Sequence, residues 1–224
     1  KRTLLRYLLL LSCSGALAAP TDLTRYVDPF VGTDGTGHVF PGATRPFGMV
    51  APSPDNAGGG WAYTSGYPYK APRIMGFSNT HISGAGIPDL GDVLLQPASG
   101  RRWTAQTQDF SSRYRKASEQ ARPGYYAVTL RDHGVRVELT ATQRVAVHRY
   151  TFAAGAAAQV LVDLQHGLHY GDQPRVTAAT VQHDAAQGEV IGVVAVKGWT
   201  EREANFVLRF SQPIARVDIL PPRA

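Results

Sequence analysis

Cysteine occurs once in these 224 residues, at Cys13, so no intrachain disulfide is available and a folded domain must rest on its own core. The residue spacings of several large enzyme classes are missing too. There are no Cys/His pairs at zinc-ligand spacing and no Gly-x-Ser-x-Gly turn, and no glycine run ends in Gly-Lys-Ser/Thr. After the first twenty residues no apolar run is long enough to span a bilayer. A basic stripe with interleaved aromatics, the footprint of nucleic-acid binding, is absent. Charged residues make up 18% of the chain and hydrophobic ones 43%, a balance that builds a core and argues against wholesale disorder.

The formal charge of +6 divides unevenly. Lys1, Arg2 and Arg6 precede the apolar run Tyr7–Leu11, and Ala16-Leu17-Ala18-Ala19 follows as a small-x-small site. A positive start, a short apolar stretch and small residues at the break describe a secretory signal peptide over residues 1–19. Residues 1–18 carry three cations and no acids, so their removal lowers the charge from +6 to +3. The expectation is export to the periplasm or beyond the cell. Leu10-Leu11-Ser12-Cys13 also resembles a bacterial lipoprotein box, which would anchor the chain through Cys13, but the small-x-small site is the better match. The sequence starts at Lys1 rather than methionine and stops at Ala224, so we expect residues 20–224 to be the front domain of a longer natural chain.

Two textures follow. Residues 26–98 are irregular, with Gly, Pro, Asn and Asp every few positions. Beyond residue 123 a period of two emerges: Val135, Val137 and Leu139 alternate with Arg136, Glu138 and Thr140, as in a half-buried strand. Residues 126–131 alternate as well, and Asp132-His133-Gly134 reads as a hairpin turn between the two runs. Further strands are expected near 143–152, 157–164, 175–183, 189–199 and 204–211, with Phe206, Leu208 and Phe210 on one face. One short polar helix is expected over Ser111–Ala121. Turn signals at this spacing, with no strand–helix alternation, predict an all-β fold: a large antiparallel β-sandwich.

Four glycine-rich segments in the irregular half are candidates for chemistry. Asp28–His38 holds glycines at 32, 35 and 37, and Phe40–Gly48 holds two prolines and two glycines, which suits a rigid corner packing Phe40 and Phe47. In Gly58-Gly59-Gly60-Trp61, a tryptophan follows three glycines and offers an aromatic face to a sugar ring. Gly76–Gly86 gathers Ser78, Asn79, Thr80, His81 and Ser83, a hydrogen-bonding rim for a polyhydroxylated ligand. The substrate-binding candidates are therefore Trp61, His38 and His81. Asp28, Asp34, Asp55, Asp89 and Asp92 all sit in contexts where a turn aspartate is common, and no pair stands out as general acid and base.

These loops resemble the N-terminal region of the glycoside hydrolase family 92 exo-α-mannosidases. The stretches that carry the resemblance are Val27–Thr33, Gly37–Ala43, Arg45–Val50, Gly76–Gly84 with Gly91-Asp92, Pro123–Tyr126, Val137–Thr142, His148–Phe152, Gly198-Trp199 and Phe210–Pro213. The resemblance implies a galactose-mutarotase-like supersandwich followed by a helical (α/α)₆ catalytic domain. It also implies calcium as cofactor, mannose-containing glycans as substrates, and an inverting mechanism that uses an acid and a base. Both carboxylates are expected in the helical domain, so no catalytic residue or calcium ligand is assigned here, and residues 20–224 alone are expected to be inactive. By resemblance, Trp61 corresponds to a tryptophan that touches the sugar on its leaving-group side. Asn79 departs from the histidine many relatives carry there. The competing expectation is a stand-alone carbohydrate-binding domain; a mutarotase reading lacks the His/Glu pair it requires.

Overall fold

In the computed structural model the alternating texture becomes twelve strands and only three short 3₁₀ turns, with no α-helix among the described residues. The structure describes residues 21–56, 59–100, 103–104, 107, 109–169 and 175–221. The expected signal peptide, Cys13 and Gly58 lie outside them. In chain order the strands are β1 (Ser53–Asn56), β2 (Arg73–Ser78), β3 (Leu94–Ser99), β4 (Ser112–Arg113), β5 (Gln120–Arg122) and β6 (Tyr125–Leu130). They continue with β7 (Val135–Ala141), β8 (Ala146–Phe152), β9 (Ala158–Asp163), β10 (Val176–Asp184), β11 (Glu189–Lys197) and β12 (Glu201–Arg209).

Every pairing is antiparallel. One sheet runs β1-β2-β3-β9 with β4 on the side of β2, a second runs β5-β6-β7-β8, and a third runs β10-β11-β12. In the second sheet Val137 sits opposite Val128 on one side and Tyr150 on the other. Its inward row, Val135, Val137 and Leu139, is buried together with Tyr126, Val128 and Leu130 against Ile74 and Phe77 of the first sheet. Each of these side chains stabilises the sandwich by about 1.5–3 kcal/mol. The third sheet is fastened by Val194 and Val196, which pack with Val93, Val162 and Leu164. Phe206 and Leu208 share the inward face of β12, whereas Phe210 follows its last residue.

Residues 111–121 do not form a helix. They break into β4, a 3₁₀ turn at Lys116–Ser118, and β5. The run has no apolar stripe to bury on one helical face, and its side chains are claimed elsewhere. Arg113 clasps the Asp132 carboxylate, Tyr114 donates to Ala71 O at 2.8 Å, and Glu119 accepts from the Tyr67 and Tyr126 hydroxyls at 2.7 and 2.5 Å. Lys116 lies over the rings of Tyr67, Tyr69 and Tyr114 at 4.6, 4.2 and 5.1 Å. The rigid corner at Phe40–Gly48 also needs correction. Phe40 does pack, 4.8 Å from the His81 ring, but Phe47 is 98% exposed on a left-handed backbone.

Candidate functional site

Trp61 sits on a hydrogen-bonded turn despite the glycines before it. Gly60 takes φ +82° and starts a 3₁₀ turn, Trp61–Tyr63, closed by Tyr63 N–H to Gly60 O at 3.0 Å and Gly66 N–H to Tyr63 O at 2.9 Å. Trp61 stays 54% exposed on this turn. Behind it stands His38, whose ring meets the indole edge-on, with centroids 4.4 Å apart and planes at 79°. His38 itself is buried, at φ +52°, a backbone region that costs a non-glycine residue about 1–2 kcal/mol. The ring is held by Thr64 Oγ1, 2.5 Å from Nδ1, and the backbone by Gly84 N–H to His38 O at 2.6 Å. No described residue partners the buried Nε2. Gly86, at φ +63°, completes the cluster: a Cβ there would lie 3.0 Å from Trp61 and 3.7 Å from His38. Two of the three expected contacts, Trp61 and His38, are thus brought together.

His81 is placed differently from the expectation of a ligand contact. Its side chain is fully buried. Nδ1 donates to Ala51 O at 2.8 Å and Nε2 lies 2.8 Å from Asp55 Oδ1, which leaves neither nitrogen for a sugar. Asp55 is not a turn residue either: it belongs to β1 and is completely buried. Its other oxygen accepts from Ser78 Oγ at 2.6 Å and from His166 Nε2 at 2.7 Å. Burial alone would raise the Asp55 carboxyl, but the neighbouring His81 and the hydrogen bonds from His166 and His81 outweigh that and hold it well below the usual carboxylate range.

Asp89 and Asp92 are also buried, and both are taken by arginine. Arg202 donates to Asp89 Oδ1 at 2.8 Å and to Asp92 Oδ1 at 2.7 Å, while Arg175 reaches Asp89 Oδ1 at 2.9 Å. Thr200 N–H donates to Asp89 Oδ2 at 2.9 Å, and Thr80 Oγ1 donates to Asp92 Oδ2 at 2.8 Å. The cluster ties the start of β12 to the loop that carries Gly86. By contrast, Asp28 and Asp34 are the turn residues their contexts suggest, accepting from Phe30 N–H and Gly35 N–H at 2.9 Å each. Asn79 bridges rather than faces outward: it donates to Val93 O at 2.8 Å and accepts from His148 Nε2 at 2.9 Å.

The carboxylates of Asp55, Asp89 and Asp92 are therefore saturated by histidine, arginine, hydroxyl and amide donors. They do not fit a calcium ion, which needs six to eight oxygen ligands. Among the described residues no group of three or more His, Cys, Asp or Glu side chains is arranged to hold a metal. What the arrangement offers is a wall: an exposed indole on a closed turn, braced by a buried imidazole, with a packed layer of ion pairs behind it. The residues missed in the sequence, His166, Arg175 and Arg202, belong to that supporting layer together with Asp55, which the sequence suggested as a turn aspartate. No helix among the described residues is long and apolar enough to cross a membrane.

The chain is similar to several known proteins. A family GH92 α-mannosidase from Bacteroides thetaiotaomicron, solved in complex with mannoimidazole, is 40% identical with a TM-score of 0.79, over 87% of this chain and 26% of that one. A family GH92 inverting mannosidase from B. thetaiotaomicron is 25% identical with a TM-score of 0.70, over 86% of this chain and 25% of that one. An uncharacterized secreted glycosidase of Arthroderma benhamiae is 34% identical over 155 residues, 64% of this chain and 20% of that protein. The chain thus spans about a fifth to a quarter of the length of these relatives. Residues 26–223 match the glycosyl hydrolase family 92 N-terminal domain, and the chain belongs to that family.

Proposed function

We propose that this chain forms the sugar-facing wall of an exported exo-α-mannosidase that cleaves terminal α-mannose from N-glycan-type mannosides. The observation that carries the reading is Trp61: a half-exposed indole held on a closed turn and backed by buried His38. Aromatic faces suit the apolar C–H surface of a pyranose, and a rigid aromatic spends little conformational entropy on binding. In support, one similar protein was solved with mannoimidazole bound, another is described as an inverting mannosidase, and a third as secreted.

Inversion requires an acid at the leaving oxygen and a base that activates water on the opposite face of the ring. In this proposal the acid and base, together with the calcium ligands, belong to a helical (α/α)₆ domain, as the resemblance implies, and the aspartates Asp55, Asp89 and Asp92 keep the structural partners they already have. Trp61, braced from behind by His38, would contact the sugar on its leaving-group side, where it orients the glycosidic bond and excludes water.

The full-length protein should release mannose from α-linked mannobiose, with β-mannose as the first anomer seen by NMR. EDTA should abolish the reaction and calcium restore it. Absence of release would overturn the proposal, and mannoside binding without hydrolysis would favour a carbohydrate-binding domain instead.

A further inference from the structure

We infer that Asp55, together with His81 and His166, is a positioning group that fixes the Trp61 turn in its sugar-facing pose; this rests on Trp61 being a sugar contact. Three separate segments are referenced to this one carboxylate. The first is the turn itself. Asn56 N–H, next to Asp55, donates to Gly66 O at 2.8 Å, and Gly66 N–H closes the turn onto Tyr63 O. A Cβ on Gly66 would lie 2.1 Å from Asp55 Oδ1, so the carboxylate lies directly against the backbone that ends the turn.

The second segment is the loop on which Trp61 rests. His81 binds Asp55 Oδ1, and a few residues later Gly84 N–H holds His38 and Gly86 lies against the indole. The third is the stretch around His166. Its Nε2 binds Asp55 Oδ2, and Leu168 N–H donates to Leu90 O at 3.0 Å, which returns to the same loop.

The chemistry makes the arrangement single-valued. Nδ1 of His81 faces a carbonyl, which only accepts, so His81 donates from both nitrogens, to Ala51 O and to the Asp55 carboxylate. Ser78 and His166 supply donors to the other oxygen. The Asp55 side chain is 0% exposed, so water offers no alternative partner. Moving any one segment would take a donor or a packing neighbour from a charged acceptor in the interior, which is costly.

The test uses the full-length protein with Trp61→Ala, His166→Gln, His81→Gln and the double variant Trp61→Ala/His166→Gln. The kinetic readout is kcat/KM for α-linked mannobiose divided by that for 4-nitrophenyl α-mannoside. His166→Gln should lower this ratio about tenfold to a hundredfold, as small misplacements of a binding group do. The double variant should be no worse than Trp61→Ala alone, because both changes remove one interaction. A proportional loss on both substrates that tracks thermal stability would overturn the inference, and so would multiplicative effects in the double variant. Should Trp61→Ala leave mannobiose turnover unchanged, the sugar-contact reading is what fails. Amide hydrogen exchange of residues 61–66 then decides the positioning role: His166→Gln and His81→Gln should speed it, and unchanged protection would overturn it.

Discussion

The His38 imidazole stands edge-on to Trp61, with ring centroids 4.4 Å apart, so an indole that is more than half exposed is nevertheless fixed in orientation. Because Trp61 contributes a surface and little core, Trp61→Ala should spare the fold and lower kcat/KM for mannobiose by about 1–3 kcal/mol, or about 5–150-fold. Trp61→Phe should recover part of the loss. Steady-state kinetics alongside a thermal melt checks both, and a melt that falls as far as the activity would place Trp61 in the core.

Gly66 should be far less tolerant than its flexible surroundings suggest. It sits at φ +84°, and a methyl group there would meet Asp55 Oδ1 at 2.1 Å. Left-handed strain and overpacking together predict that Gly66→Ala loses about 2–5 kcal/mol, read from the urea midpoint. Gly59, whose added Cβ meets nothing within 4 Å, is the matched control: Gly59→Ala should be close to neutral.

This contrast also marks how far the sequence was legible. Val135, Val137 and Leu139 announce β7, and Asp132–Gly134 its hairpin, because a strand buried on one face writes a period of two locally. β1 to β3 leave no such trace: their burial is nearly continuous, and Pro54 and Pro97 stand inside β1 and β3, where they read as loop. The exposed Trp61 could be found because a tryptophan beside glycines is unusual by itself. The Asp55 cluster could not, since His81 and His166 reach it from 26 and 111 residues away and no local pattern encodes such a meeting.

Arg202 should be the residue whose loss most loosens the third sheet. Its guanidinium bridges Asp89 and Asp92, whose side chains are only 1% and 4% exposed. Arg202→Met leaves two buried carboxylates short of a cation, although Arg175 and Thr200 still hold Asp89 and Thr80 still holds Asp92. A destabilisation of about 3 kcal/mol is expected, the lower end for a broken buried pair. Arg202→Lys should fall between, because an ammonium keeps the charge and loses the two-pronged geometry. Hydrogen exchange should show the change in β12 first.

Acid should weaken the fold well before its carboxylates titrate, and His148 is the cause. Burial lowers this imidazole from 6.5 to about 4, and its nitrogens already serve Asn79 Oδ1 and the Tyr150 hydroxyl at 2.9 Å each. A base depressed in the folded state takes up a proton more readily when unfolded. Its contribution is therefore complete above pH 6.5 and is lost as the pH falls towards 4, by about 3 kcal/mol. The lowered carboxyls act further down: Glu138, held at about 2 by hydrogen bonds from Arg149 and Tyr125, titrates below its ordinary 4.5, and Asp55 below its ordinary 3.8. Urea unfolding between pH 7 and 4.5 should show a falling midpoint, and His148→Gln, which keeps an amide donor for Asn79, should flatten that slope. An unchanged slope in the variant would assign the acid sensitivity to a different group.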